Sequence, residues 1–241
     1  MSKMIAVCGS PESGKTTFSL KLAQELYYQK KGTVLFLSPD MQIPSMAYTF
    51  PHSKSSDLFS IGKALDKTDI YTEDVLKQLV PVKTMRNFGL LGYTAGENKY
   101  TYPRSTEDKI AALFRAMKDI ADYIVVDCVS DMDDLITRMA INRTDSAIQM
   151  VAPDLKSIAY YASQAEMYEN IAECGIKTLC IRDRDVYLPI EEIKSHFKNV
   201  AFTLPYSRPL KQQAITGTLS ERLSDISYRK QVAAIVKRVI K

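Results

Sequence analysis

An α/β fold, with a mostly parallel β-sheet flanked by helices on both faces, is predicted by three observations. Short apolar runs alternate with segments of helical periodicity along the chain. The first run, Met4–Cys8, leads directly into Gly9-Ser10-Pro11-Glu12-Ser13-Gly14-Lys15-Thr16-Thr17, which matches the G-x-x-x-x-G-K-[ST] phosphate-binding pattern. Helical spacing follows from Phe18 to Leu26, so strand, loop and helix stand in the order the pattern requires.

The remaining elements follow in turn. Thr33–Leu37 reads as the second strand, ending at Ser38-Pro39-Asp40, and a polar loop rich in Pro, Ser and Met runs from Met41 to about Ser56. Two helices are predicted over 57–67 and 72–79, with Asp57 and Thr72 as N-caps. A third strand is expected at Phe88–Leu91, a loop over 94–104, and a helix starting at Ser105-Thr106-Glu107-Asp108 and reaching Ile120. Asp122–Asp127 is an apolar strand ending in a carboxylate, 131–142 is helical, and Ser146–Val151 is another strand. Pro153-Asp154 opens a long helix to Cys174, closed by Gly175 as a C′ glycine. Strands at 178–181 and 200–204 follow, and the last helices begin near Pro209 and Ser227. In such sheets ligands sit beyond the carboxyl ends of the strands, where Gly9, Asp40, Asp127, Pro153 and Pro205 all fall.

The loop chemistry follows from residue types. Glycines allow a tight turn that directs backbone N–H groups at an anion, and the helix beginning near Lys15 adds its positive end. Lys15 is placed to reach β- and γ-phosphates, Thr16 to set its hydroxyl on Mg²⁺, and Thr17 to meet the α-phosphate. Asp127, at the end of a buried strand, is either a second Mg²⁺ ligand or a strand-end cap for the next helix. Asp40 either orients a water above the γ-phosphate or belongs to an ordinary Pro-Asp turn.

The chain has 241 residues, 46% hydrophobic and 25% charged, enough for one α/β domain over 1–241. Its net charge of +4 permits contact with DNA or anionic lipid but argues for neither. Cys8, Cys128, Cys174 and Cys180 lack metal-ligand spacing and read as buried thiols in a reducing cytoplasm. No signal peptide and no apolar run of membrane-spanning length is expected. The basic, amphipathic run Tyr228–Lys241 is either a docked last helix or a membrane-binding tail. Arg182-Asp183-Arg184-Asp185 reads as a self-paired surface loop, Tyr27-Tyr28 and Tyr160-Tyr161 as packing residues, and His52 and His196 have no role.

Taken together these segments resemble the ParA/MinD-like ATPases of the SIMIBI class of phosphate-loop proteins. Those chains run from the phosphate loop to a strand with D-x-D-x-Q, then Y-I-I-I-D, then a strand followed by proline, then a late I-P-Y. Here Val34–Gln42 reads V-L-F-L-S-P-D-M-Q, Asp122–Asp127 reads D-Y-I-V-V-D, Asp145–Leu155 reads D-S-A-I-Q-M-V-A-P-D-L and Thr203–Tyr206 reads T-L-P-Y. The resemblance implies bound ATP with Mg²⁺, Asp40 as a water-orienting switch residue, Asp127 as the metal-side acid, and Pro205 and Tyr206 against the adenine. It also implies an ATP-bound homodimer, reset by slow hydrolysis, that controls attachment to DNA, membrane or a partner machine. Where the family carries a second lysine that crosses the dimer interface, this chain has Ser10. Where it has the first acid of D-x-D, this chain has Ser38, and the base-reading Asn expected after the sixth strand is missing. The pilus and secretion localisation proteins TadZ and CpaE look similar in such losses; they usually carry an extra N-terminal receiver-like domain, for which no room is expected in these 241 residues. The expected location is the cytoplasm, peripherally at membrane or cell pole, with pilus, secretion or conjugation machinery as partner. Two other readings stay open: a small-molecule kinase using Arg104, Arg182 and Arg184, and an adaptor that binds nucleotide without hydrolysing it.

Overall fold

Strand β1 (Lys3–Gly9) divides its side chains between two cores: Met4, Ala6 and Cys8 enter one, Ile5 and Val7 the other. All five are buried, as a strand covered on both faces requires. The computed structural model describes residues 2–30, 32–44, 46, 59–171, 175–184, 186 and 189–240. His52, Asp57, Cys174, Asp185 and most of the loop expected after Met41 lie outside the described residues.

The other strands are β2 (Val34–Ser38), β3 (Val80–Pro81), β4 (Phe88–Gly92), β5 (Tyr123–Asp127), β6 (Ser146–Val151), β7 (Gly175–Cys180) and β8 (Val200–Leu204). They form one eight-stranded sheet in the order β3-β4-β2-β5-β1-β6-β7-β8. Every pairing is parallel except β3 with β4, which is antiparallel over two residues. The helices are α1 (Lys15–Lys30), α2 (Ile61–Leu65), α3 (Thr72–Leu76), α4 (Glu107–Ile120), α5 (Leu135–Arg143), α6 (Leu155–Ser163), α7 (Ile190–Ser195), α8 (Arg208–Thr216) and α9 (Ile226–Val239), with a 3₁₀ segment at Glu166–Ile171. The fold is therefore α/β with a mostly parallel sheet between two helical layers.

On one face α1, α8 and α9 pack Phe18, Leu22, Leu210, Val232 and Ile235 against Val7, Phe36, Val125 and Met150. On the other, α2 to α5 pack Ile61, Val75, Leu113, Phe114, Ile136 and Met139 against Ala6, Leu35, Leu37 and Val126. The described cysteines, Cys8, Cys128 and Cys180, are free and buried. Helix α9 buries Tyr228, Val232, Ile235, Val236 and Val239, so its apolar side serves the fold and its basic side faces solvent. Among the described residues no helix is long and apolar enough to cross a membrane.

Caps account for most helix starts. Carboxylates of Asp134, Asp154 and Asp225 accept the N–H groups of Thr137, Ser157 and Tyr228 at 2.7, 2.7 and 3.0 Å. Three expectations are corrected here. Helix α2 begins at Ile61, capped by Ser60, whose hydroxyl accepts the Gly62 N–H at 3.1 Å. Residues 131–134 precede α5 rather than joining it, since Asp134 is the cap. The long helix to Cys174 ends at Ser163, and Gly175 opens β7 instead of closing a helix. The 3₁₀ segment folds Tyr168 back into the core, its hydroxyl 3.0 Å from that of Tyr160. A continuous helix would set these residues roughly 12 Å apart along its axis, so tertiary packing overrides the periodicity. The short elements β3 and α7 have no counterpart in the periodicity of the sequence. Only Pro189 with Glu191 and Glu192 in the next turn foreshadows α7.

Candidate functional site

The segment Gly9–Thr17 arches over the carboxyl ends of three adjacent strands. Gly9 is in register with Met150 of β6, and Val7 with Asp127 of β5. From β1 the chain builds β2 and β4 on one side, then β6, β7 and β8 on the other, so this is the point where strand order reverses. Gly9 has φ +133°, and a Cβ there would stand 2.0 Å from the Met150 carbonyl oxygen, so glycine is obligatory. Gly14 has φ +85°, and Glu12, although not glycine, has φ +58°. The Ser13 hydroxyl donates to the Ser10 carbonyl at 2.8 Å and closes the turn. Lys15 is the first residue of α1, so the N–H groups of Lys15, Thr16 and Thr17 have no carbonyl within the helix to bond. With the helix dipole behind them, they form a receptor for an anion.

The Lys15 ammonium is buried in this arch. It donates to the Ser10 carbonyl at 2.8 Å and to the Ser130 hydroxyl at 2.6 Å, and Ser130 Oγ donates in turn to the Gly9 carbonyl at 3.1 Å. Burial pushes the Lys15 pKa down, opposed chiefly by the charge of Asp127. Asp127 is buried at the end of β5, and loss of water pushes its carboxyl up to about 6 against hydrogen bonds from Thr16 and Ser19 and the charge of Lys15. Ser19 Oγ lies 3.0 Å from Asp127 Oδ1 and 2.7 Å from the Lys15 carbonyl. Among the described residues no three His, Cys, Asp or Glu side chains gather as a metal cluster. One carboxylate beside one hydroxyl is instead the sparse oxygen set that suits Mg²⁺, a cation that keeps waters and borrows phosphate oxygens. By this chemistry Thr16 and Asp127 fit the metal, and the loop N–H groups with Lys15 fit a phosphate chain.

Asp40 stands in the turn after β2, where its Oδ1 accepts the N–H groups of Gln42 and Ile43 at 2.8 and 2.9 Å. It therefore does form a Pro-Asp turn, while its charge still reaches Lys15 and Asp127. Pro205 and Tyr206 follow β8, half-buried, ahead of the Ser207 cap of α8. They share the carboxyl edge with the loop but lie three strands from β1, roughly 14 Å away across the sheet.

Two partners of the loop, Ser130 and Ser157, carried no local signal. Ser10 is buried, its hydroxyl 2.7 Å from that of Ser157, which also accepts the Ala152 N–H at 2.9 Å. The Tyr160 hydroxyl donates to the Ser130 carbonyl at 2.8 Å, so this tyrosine does more than pack. The expectation of a self-paired 182–185 loop is overturned. Arg182 Nη2 donates to Asp154 Oδ2 at 2.5 Å and Nη1 to the Glu12 carbonyl at 2.5 Å, while Asp183 pairs with Lys211 at 3.5 Å. Arg182 and Asp183 therefore spend their charges on partners from other elements rather than on each other. Arg104 and Arg184 are exposed.

No family model matches this sequence, and no curated protein matches it. Solved structures do. A ParA family ATPase from Chlorobium tepidum superposes with a TM-score of 0.79 over 98% of this chain and 99% of its own, at 12% identity. The septum site-determining protein MinD of Pyrococcus horikoshii, complexed with Mg-ADP, gives 0.76 over 100% and 97%, at 14% identity. A putative plasmid partition protein from Borrelia burgdorferi, bound to AMPPNP, gives 0.74 over 100% and 99%, at 16% identity. At these identities the likeness establishes the fold: this chain has the architecture of the ParA and MinD proteins from end to end.

Proposed function

We propose that this protein is a nucleotide-dependent switch of the ParA/MinD type. It binds Mg·ATP at Gly9–Thr17, hydrolyses it slowly, and uses the nucleotide state to position or partition a cellular machine or DNA element. The observation that carries this reading is the Lys15 ammonium, buried at the start of α1 with hydrogen bonds to two neutral oxygens, the Ser10 carbonyl and the Ser130 hydroxyl. A cation taken out of water is costly unless an anion joins it, and the surrounding N–H groups select a phosphate. In this reading Lys15 neutralises the β- and γ-phosphates, Thr16 and Asp127 hold Mg²⁺, Asp40 orients water, and Pro205 and Tyr206 contact the base. The metal supplies charge neutralisation at the transferred phosphoryl group, and the protein contributes positioning.

Calorimetric titration with ATP and ADP, with and without Mg²⁺, tests the site. Binding that is lost in Lys15→Ala is the expected result, and ATP affinity unchanged by that substitution refutes it. Light-scattering mass with ADP, ATP and a non-hydrolysable analogue, with phosphate release followed in the same samples, tests the switch. A monomer with ADP that becomes a dimer with ATP is expected, and one mass in every state overturns the ParA-like cycle.

A second reading, an adaptor that binds nucleotide without hydrolysing it, is favoured by one observation. Ser10, at the position of the family's interface lysine, turns inward to Ser157. Nucleotide that stays intact for hours while still changing the mass separates this reading from the first. The kinase reading loses its arginines: Arg182 is committed to Asp154 and Glu12, and Arg104 and Arg184 face solvent.

A further inference from the structure

Two of the ties that hold the arch of the phosphate-binding loop converge on the start of α6. Ser10 is tied by its hydroxyl, 2.7 Å from that of Ser157. Glu12 is tied through its backbone, the carbonyl accepting from Arg182 Nη1 at 2.5 Å. Asp154 joins the two ties, Oδ1 taking the Ser157 N–H at 2.7 Å and Oδ2 taking Arg182 Nη2 at 2.5 Å. Glu12, Arg182, Asp154, Ser157 and Ser10 thus form a ring from the loop through β7 and α6 and back.

Glu12 is the strained member. Its φ of +58° is a left-handed conformation that L-residues adopt at a cost, and its carboxylate gains little from the exposed pair with Lys156 at 3.1 Å. The strained peptide is held from outside the loop by the forked guanidinium of Arg182, which reaches a carbonyl and a carboxylate at once. A lysine ammonium, a single point on a flexible stem, does not hold that two-armed geometry.

We propose that Arg182 is a positioning residue of the phosphate-binding loop: anchored on Asp154, it holds the Glu12 peptide in the left-handed conformation that shapes the loop. The inference rests on the nucleotide-binding reading given above. It is distinct from any direct contact of Arg182 with nucleotide, because it makes the need for Arg182 depend on which residue stands at 12. Glycine adopts positive φ freely, so Glu12→Gly relieves the strain Arg182 restrains.

The test is a double-mutant cycle of Arg182→Gln and Glu12→Gly, reading ATP affinity by calorimetry with Mg²⁺ and the unfolding midpoint without nucleotide. In the natural background Arg182→Gln is expected to weaken ATP binding about tenfold or more, the scale of one hydrogen bond to a charged group. In the Glu12→Gly background the same change is expected to cost less than about threefold. Arg182→Lys, which keeps the charge and carries the test if the glutamine variant folds poorly, is expected to rescue little. Equal losses in both backgrounds, or none in either, overturn the inference while leaving nucleotide binding standing. Failure of the unaltered protein to bind ATP overturns both.

Discussion

Substituting alanine at three left-handed glycines separates packing from backbone strain. At Gly9 a Cβ would lie 2.0 Å from the Met150 carbonyl oxygen, 2.8 Å from its nitrogen and 2.9 Å from its carbonyl carbon. All three are backbone atoms of a central strand, so relief requires β1 and β6 to part by more than an ångström. That forfeits the Ser10 N–H bond to the Met150 carbonyl and the last rung between Gly9 and Met150, at about 1 kcal/mol each. Backbone strain at this φ adds about 1–3 kcal/mol. Gly9→Ala should therefore cost about 3–5 kcal/mol and displace the loop enough to abolish ATP binding. At Gly14, φ +85°, the nearest atom to a Cβ is Cys180 Sγ at 3.4 Å, an ordinary contact, leaving strain alone. At Gly96, φ +90°, nothing lies within 4 Å, so the cost is again that of strain alone, about 1–3 kcal/mol, without effect on nucleotide. Urea unfolding and ATP calorimetry on the three variants give the ranking. Equal costs at Gly9 and Gly96 would refute the close-approach argument.

Three further outcomes are expected. Lys21 is buried in α1 and donates to the Leu219 and Glu221 carbonyls at 2.7 and 2.8 Å, and burial pushes its pKa from 10.5 down to about 7. Between those values the unfolded chain holds a proton the fold has released, so stability rises with pH across that window, by up to about 1.4 kcal/mol per unit. Urea unfolding at pH 7 and pH 9 should show this gain in the natural protein and not in Lys21→Met. Asp127→Asn should stabilise the nucleotide-free protein by up to about 3 kcal/mol above pH 6, because burial raises this carboxyl from 3.8 to about 6. That gain should vanish below pH 4, where the carboxyl is protonated in both states, and Mg²⁺ should cease to tighten ATP binding; a gain independent of pH argues against it. Ser10→Ala leaves the buried Ser157 hydroxyl one partner short and should lower stability by about 1 kcal/mol, read as a shift in thermal midpoint.

Much of the architecture was legible because each half of the signal is local. Met4–Cys8, Tyr123–Asp127 and Ser146–Val151 are apolar runs of strand length, and Asp154 and Thr106 announce the helices that follow them. What failed was decided at long range. Nothing near Tyr168 indicates that its hydroxyl will meet that of Tyr160 and break the helix between them. Position 127 could be read from its own strand, but Ser130, Ser157 and Arg182 acquire their places only when β5, β6 and β7 line up beside β1. The charges of 182–185 misled for the same reason, since Arg182 finds partners on other elements.

The placement of β1 also sets when the site can first exist during synthesis. Its hydrogen-bonded neighbours are β5 and β6, not the strand that follows it. The Met4 N–H bonds the Asp145 carboxylate 141 residues downstream, and Ser130 reaches Gly9 across 121 residues. A ribosome adds about 5–20 residues per second, so the apolar run Met4–Cys8 is made on the order of ten seconds before its partners. Through that interval it is a bare β-prone segment of the kind that pairs with other chains, and the arch above it has no walls. An anionic ligand can stabilise this molecule only after residue 151 has emerged, which leaves the run Met4–Cys8 to be shielded until then by other means.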